Sequence, residues 1–319
     1  MSSQTECVMS WKPTASISTL KKRARIIDAI RQFFKSRDVL EVETPLLSHA
    51  SVPDPNIPSF HLSRTPSSKD LYLQTSPEFA MKRLLAAGSG SIFQISKAFR
   101  QGEISKMHNP EFTMLEWYRV GFDHHQLMDE MEALLQLILK INTPATRLTY
   151  QAVFEQHLNI NPHEATVHDL KKHAEKNGVL THSSLTKDEW LDVLFTHLIQ
   201  DKLDGLTFIY HYPTSQAALA RIHQGVAERF EVFAKGYELA NGFHELSDAH
   251  EQRSRFESDL KKREQQNDDM PVIDEHLLSA LEYGLPDCAG VALGIDRLIM
   301  LTLEFDNISD VISFDFNNA

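Results

Sequence analysis

Apolar residues recur at helical spacing at Ile26, Ile27, Ile30, Phe33 and Phe34, while Lys21, Lys22, Arg23 and Arg25 lie mostly elsewhere on the wheel. This pattern predicts a first helix, which Ser16, Ser18 or Thr19 can cap, after an irregular leader over residues 1–15. Val39, Leu40 and Val42 predict a strand ending at Pro45, and the Pro- and Ser-rich stretch 51–68 predicts a loop. A short strand follows at 71–75 and a helix at 77–87. Residues 91–99 and 111–119 read as a long hairpin around a polar turn near 102–110. Leu127, Met128, Met131, Leu134, Leu135 and Ile138 carry a strong helical period over 124–141. Residues 149–202 read as mostly helical, with polar breaks at 159–163 and 181–186. β character returns at 206–212 and across 227–243, where Phe230, Val232 and Ala234 alternate with a wetter set, Arg229, Glu231 and Phe233. A charged helix over 247–267 and a small-residue strand running into an apolar helix over 291–304 complete the chain. Strands separated by helices predict a mixed sheet of the α+β kind.

Composition narrows the function. Lys and Arg number 32 against 44 Asp and Glu, a formal charge of −12. That balance disfavours extended contact with nucleic acid and favours a small cationic ligand or a basic partner. The two cysteines, Cys7 and Cys288, are far apart and form no CxxC pair, so neither a disulfide framework nor a zinc site is expected. Residues 1–13 hold no signal-peptide-like apolar run, and no stretch approaches the ~20 apolar residues of a membrane span. The expectation is a soluble cytoplasmic protein with no membrane partner. There is no GxxxxGK[ST] loop and no GxGxxG turn.

Three segments carry more chemistry than a core needs. In the first, Phe99-Arg100-Gln101-Gly102-Glu103 leads to the run from His108 to Tyr118. There Arg100 can neutralise a phosphate and Phe112 can stack on a ring. The second is Glu238-Leu239-Ala240-Asn241-Gly242-Phe243-His244-Glu245. Its two glutamates fall on opposite faces of a regular strand, but a bulge near Gly242 would bring them together as a Mg²⁺ pair. The third is Gly290-Val291-Ala292-Leu293-Gly294-Ile295-Asp296-Arg297, where Asp296 can cap the next helix. Arg297 opposes that helix's dipole, a local conflict expected where a residue is held for a ligand such as a phosphate.

In this order the three segments resemble the signature motifs of class II aminoacyl-tRNA synthetases, over roughly residues 20–303. Pro45 resembles the motif 1 proline, Phe99-Arg100 with its hairpin motif 2, and Gly294 to Arg297 motif 3. Thr75-Ser76-Pro77-Glu78, the run His108 to Tyr118 and Asn241 to Leu246 are similar to the lysyl branch. Two departures stand out. Lysyl-tRNA synthetases carry an anticodon-binding barrel before motif 1, which here begins almost at once. Ala292 stands where they have a pocket glycine, and one added methyl is worth roughly 1–3 kcal/mol of discrimination. Both are features of free-standing lysyl-tRNA synthetase paralogues.

The resemblance implies a class II catalytic domain over 16–319, with a mainly antiparallel sheet, a helical insertion near 149–203 and no anticodon-binding domain. It implies ATP and Mg²⁺, activation of lysine or (R)-β-lysine as an adenylate, and transfer to a lysine of translation elongation factor P rather than to tRNA. It further implies a homodimer through the Ile26 to Phe34 helix. Around ATP it implies Arg100, Gln101, Gly102, Glu103, His108, Asn109, Phe112, His244, Glu245, Gly294 and Arg297, with Arg100 and Arg297 catalytic and the adenine between Phe112 and Arg297. Around the amino acid it implies Ser76, Pro77, Glu78, Glu116, Tyr118, Glu251 and Ala292, and on the metal Glu238 and Glu245. One feature departs from the lysyl pattern: Gly102 occupies the place of an adenine-reading glutamate, and Glu103 follows it. An adenylate-forming enzyme with a small-molecule acceptor and an amino-acid-sensing regulator share the same motifs. Intact Arg100, Arg297, Glu238 and Glu245 argue against the sensor.

Overall fold

Ser16 starts the first helix, as one of the three candidate caps. Its hydroxyl accepts the Thr19 N–H at 3.1 Å and opens α1 (Ile17–Lys35). The computed structural model describes residues 11–62, 70–179 and 185–319. Part of the expected leader, Cys7, residues 63–68 of the expected loop and residues 181–184 of the expected break lie outside these. Within the described part of that loop a short strand forms instead, β3 (His61–Leu62), which pairs with β4 (Leu71–Leu73) in a small three-stranded sheet whose other edge is β2 (Leu47–Ser48).

The main sheet is built from β1 (Leu40–Glu41), β5 (Ile92–Phe99), β6 (Glu111–Val120), β7 (Thr146–Thr149), β8 (Leu206–Tyr212), β9 (Ile222–His223), β10 (Val226–Ala234), β11 (Tyr237–His244) and β12 (Cys288–Gly294). Their order is β1-β5-β6-β12-β11-β10-β8-β7, with β9 beside β10. The two outer pairs, β1 with β5 and β7 with β8, are parallel and the others antiparallel. The β stretch expected across 227–243 is a hairpin. Lys235 and Gly236, at φ 52° and 77°, form its two-residue turn.

One face of the sheet packs on α1, α3 (His124–Leu139) and α9 (Ile295–Thr302). α3 opens with a capping box between Asp123 and Gln126 and lays Leu127, Met131 and Leu134 on this core. Ile30, Phe33 and Phe34 are buried here in their own chain. Ile26 and Ile27, on the same helix, are only partly buried.

The second face has two separate covers. Between β7 and β8 the chain forms α4 (Tyr150–Leu158), α5 (Val167–Lys176) and α6 (Lys187–Leu198), whose core includes Phe154, Phe195 and Phe233. Phe233, assigned to a wetter face by alternation, is buried because these helices cover that side too. At the other end, α2 (Glu78–Ala86), α7 (Ala249–Gln266) and α8 (Glu275–Gly284) enclose Phe79, Phe256 and Leu278. Between the covers the sheet carries polar side chains. No described helix is long and apolar enough to cross a membrane.

Candidate active site

The polar strip is set by strand register. Gln94, Glu116, Ala292, Asn241 and Glu231 follow one another across β5, β6, β12, β11 and β10, and Tyr118 lies opposite Gly290 in the adjacent row. Side chains in such rows project from the same face.

At one end, the N-terminus of α2 points at the strip. Ser76 Oγ accepts the Glu78 N–H at 3.3 Å, and Glu78 occupies the first turn, where the helix dipole favours an anion. One turn on, Lys82 is 2% exposed, its Nζ 2.7 Å from Glu78 and 2.6 Å from Glu245. Burial opposes its charge, but the two carboxylates more than offset this and hold it protonated. Glu116 is equally buried; its Oε1 accepts the Tyr118 hydroxyl at 2.6 Å, while Oε2 has no partner. Gln94 Oε1 and Ser96 Oγ nearby in the sheet are likewise unpaired. Burial and then the charge of Glu78 push Glu116 up to about 8. Burial also raises Glu245, to about 7, with Lys82 pulling it down and Glu78 pushing it up. Three carboxylates against one ammonium leave two negative charges when all are ionised, the complement of a diammonium ligand. A side chain at Gly290 would put its Cβ 2.2 Å from the Tyr118 ring and 2.6 Å from Glu245 Oε1, so glycine there makes room for the pocket wall.

At the other end, guanidinium groups gather around carboxylates. Arg100 stands with Cζ 5.2 Å above the Phe112 ring and Nη1 3.5 Å from Glu103, and its buried Nε has no partner. Arg297 Nη1 donates to the Glu238 carbonyl at 2.9 Å and its Nε to that of Met107 at 3.3 Å. Arg229 ion-pairs with Glu231, which also accepts the Tyr212 hydroxyl at 2.7 Å. Burial and then the Glu231 charge push Glu238 up to about 7, against the pull of Arg297, Arg229 and Arg100. An extra Cβ at Gly294 would meet the Leu239 carbonyl at 3.9 Å and the Arg297 side chain at 4.0 Å, so this glycine lies against Arg297.

Several expected placements need correction. The β11 irregularity falls at Leu239, where Val232 pairs with Ala240 and Phe233 with Glu238, and not near Gly242. It turns Glu238 onto the face that Glu245 shares, yet seven residues at ~3.3 Å each separate them by roughly 20 Å along the strand. They cannot hold one ion. The carboxylate beside Glu238 is Glu231, one diagonal away on β10, while Glu245 belongs to the Lys82 pocket. His244 alternates to the opposite face, where Nδ1 meets Glu228 at 2.6 Å and Nε2 meets Asp287 at 3.0 Å. Asn109 spends its amide on the Glu111 carbonyl at 2.7 Å and its oxygen on the Phe316 N–H at 2.9 Å. His108 pairs with Ser105 at 2.8 Å, and burial with the nearby arginine charges lowers its pKa. Glu251 is exposed and paired with Arg255, apart from the buried acids. Asp296 does not cap α9. It is buried, accepting the Thr113 N–H at 2.7 Å and pairing with Arg23 at 2.6 Å, so it ties α9 to β6 and α1. Gln101 and Gly102 form the hairpin turn, Gln101 N–H donating to the Pro58 carbonyl at 2.9 Å and Gly102 in the left-handed region at φ 79°. Pro77 caps α2 by position, and Ala292 lies between Glu116 and Asn241.

Lys82, Gln94, Arg23 and Glu231 escaped the sequence reading. Lys82 alone left a trace there, as a lysine on the apolar side of a short helix, four residues after Glu78.

The family model of tRNA synthetases class II (D, K and N) matches residues 4–318. Among curated proteins, the chain is 54% identical over 318 residues to an elongation factor P–(R)-β-lysine ligase of Vibrio parahaemolyticus, spanning 96% of this chain and 98% of the relative. It is 52% identical to the protein so named in Vibrio cholerae, over 97% and 98% of the two chains. The Haemophilus influenzae protein of that name is 49% identical, again over 97% and 98%.

Proposed function

Because the chain belongs to the class II tRNA synthetases (D, K and N), we propose that it performs the reaction its relatives are named for, joining (R)-β-lysine to elongation factor P with ATP as the activating substrate. The observation that carries this reading is the buried acid pocket of Glu78, Glu116 and Glu245, which when fully ionised exceeds the charge of Lys82 by two and which holds an unpaired Glu116 oxygen.

The pocket takes the two ammonium groups, with Tyr118 and Ser76 at its wall and the Ala292 methyl beside Glu116. The carboxylate of the bound amino acid attacks the α-phosphorus of ATP, the α–β phosphoanhydride breaks, and pyrophosphate leaves. Arg100, through its free Nε, and Arg297 neutralise the charge growing on the phosphate oxygens; no enzyme nucleophile is required. Phe112 offers its ring to the adenine. Gln101, Gly102 and Glu103 line the base through the hairpin turn, with His108 beside them and Gly294 next to Arg297. Glu231 and Glu238 would hold Mg²⁺: they share one face of neighbouring strands, and burial and then the Glu231 charge raise Glu238 to about 7, a cost that a cation beside Arg229 would lower. Bound there, the ion would neutralise phosphate charge. In the second step the acceptor lysine amine attacks the adenylate carbonyl, an amide forms, AMP leaves, and the amine loses its proton.

The test is ATP–pyrophosphate exchange with lysine, (R)-β-lysine and ornithine side by side, followed by mass analysis of elongation factor P. Exchange favouring (R)-β-lysine and a matching mass gain on one lysine is the expected result. Efficient charging of lysine tRNA, or exchange without modification of the factor, would overturn the acceptor. A cytoplasmic homodimer is part of the same reading, and sedimentation at micromolar concentration reports its oligomeric state.

The raised carboxyls also predict a pH response. Glu116 and Glu245 hold their protons more tightly folded than unfolded. Their stabilising contribution is therefore complete below about pH 4.5 and is lost as pH rises through about 7 to 8. A diammonium ligand reverses that loss by favouring the ionised forms. The increase in Tm from saturating (R)-β-lysine is expected to be larger at about pH 8.5 than at about pH 6. Equal increments at both would detach these carboxyls from the ligand.

A further inference from the structure

On the sheet face opposite the acid pocket, imidazoles converge where α3 begins. His124, the first residue of α3, is 3% exposed; its Nε2 lies 3.1 Å from His211 Nε2, and its Nδ1 is buried without a partner. The His125 ring lies against it, tilted by 35° with ring centroids 4.1 Å apart. One nitrogen from each of the three rings falls within 4.8 Å of the others. Two imidazole nitrogens on a tetrahedral ion, at metal–nitrogen distances of ~2.0–2.1 Å, stand roughly 3.3 Å apart, close to the separation found here. His211 is held in the left-handed region at φ 60°, which costs a residue other than glycine on the order of 1 kcal/mol or more. It lies opposite a shift in the β10 register, where Tyr210 pairs with Phe230 and Tyr212 with Ala227. That leaves Glu228 and Arg229 facing a single residue, the kind of bulge that re-aims a side chain. Asp123 near His124 and Glu228 near His211 supply negative charge, which offsets the positive N-terminus of α3.

We propose that His124, His125 and His211 form a binding site for a divalent transition ion of the Zn²⁺ kind, with Glu228 as the adjoining carboxylate. The cysteine count spoke against a zinc site, but histidine nitrogen serves such ions without thiolates. The ion would join the start of α3 to the end of β8, on the side of the sheet away from the reacting groups.

The experiment uses tag-free full-length protein, dialysed metal-free and titrated with zinc chloride by calorimetry and by thermal melting. One Zn²⁺ per chain with a rise in Tm is expected. His125→Ala changes an exposed ring on the helix surface, and His211→Asn keeps a residue that tolerates the left-handed backbone. Each is expected to weaken Zn²⁺ binding by more than about tenfold, since even losing a partner of a ligand costs that much. ATP–pyrophosphate exchange without added zinc verifies that both variants are folded. Absence of stoichiometric uptake by the unaltered protein, or wild-type affinity in either variant, overturns the site.

Discussion

Arg100→Ala is expected to lower ATP–pyrophosphate exchange by about 10³-fold, roughly 4 kcal/mol of transition-state stabilisation. The size follows from what Arg100 does in the ligand-free protein, which is little: its ion pair with Glu103 is long at 3.5 Å, and Nε is buried without a partner. A guanidinium whose donors the fold leaves unused is available to a phosphate at no structural loss. The same reasoning predicts a Tm within about 1–2 °C of the parent, because an interaction of that length contributes little to stability. Arg100→Lys should recover only a small part of the rate, since lysine keeps the charge but not the planar fork. Steady-state exchange and melting of the three proteins decide the point. A large fall in Tm with Ala, or full activity with Lys, would make Arg100 a packing residue and return the phosphate to Arg297 alone.

Lys82→Met is expected to act in the opposite way, through stability first. Its ammonium is the shared partner of Glu78 and Glu245, all three within 2.7 Å contacts in a buried setting. Removing one member of a buried ionic set leaves uncompensated charge and costs about 3–5 kcal/mol. Because the remaining carboxylates can escape by taking up protons, the loss should be greatest at alkaline pH. Adding Glu245→Gln to Lys82→Met removes one stranded charge and should restore part of the loss, which urea unfolding of the single and double variants measures. Additive losses in the double variant would show that the lysine does not clamp these carboxylates.

The two variants mark how much of the molecule was readable from sequence. Arg100 and Phe112 sit at the end of a regular hairpin, so alternation alone places Phe112, Glu116 and Tyr118 on one face, as the structure has them. Periodicity likewise located α3, because Leu127 to Ile138 face one continuous core. What failed was anything that depended on a non-local partner or on a broken alternation. Asp296 looked like a cap because its partners, Arg23 and the Thr113 amide, lie 273 and 183 residues away (296 − 23 and 296 − 113). Glu245 was paired with Glu238 because the position of a bulge is set by the neighbouring strand, which a single sequence does not display. Lys82 was overlooked since a lysine within a helix is ordinarily solvated, and only the tertiary fold brings Glu245 over it. Tertiary packing also relocated Phe233.

The extra residue at Leu239 works as a gear between two trades. Upstream of it β11 presents Glu238 to the arginines; downstream the chain runs on to Glu245 in the amine pocket. Inserting one residue between Val232 and Phe233 would give Leu239 a partner and make the strand regular, so that Glu238 swings towards the apolar core while the amine half stays in place. Such a protein should still recognise its amino acid and be unable to handle the nucleotide. A single backbone irregularity thus sets the phase between recognising a substrate and activating it, and lineages that reuse this scaffold can alter either half freely only while that phase is kept.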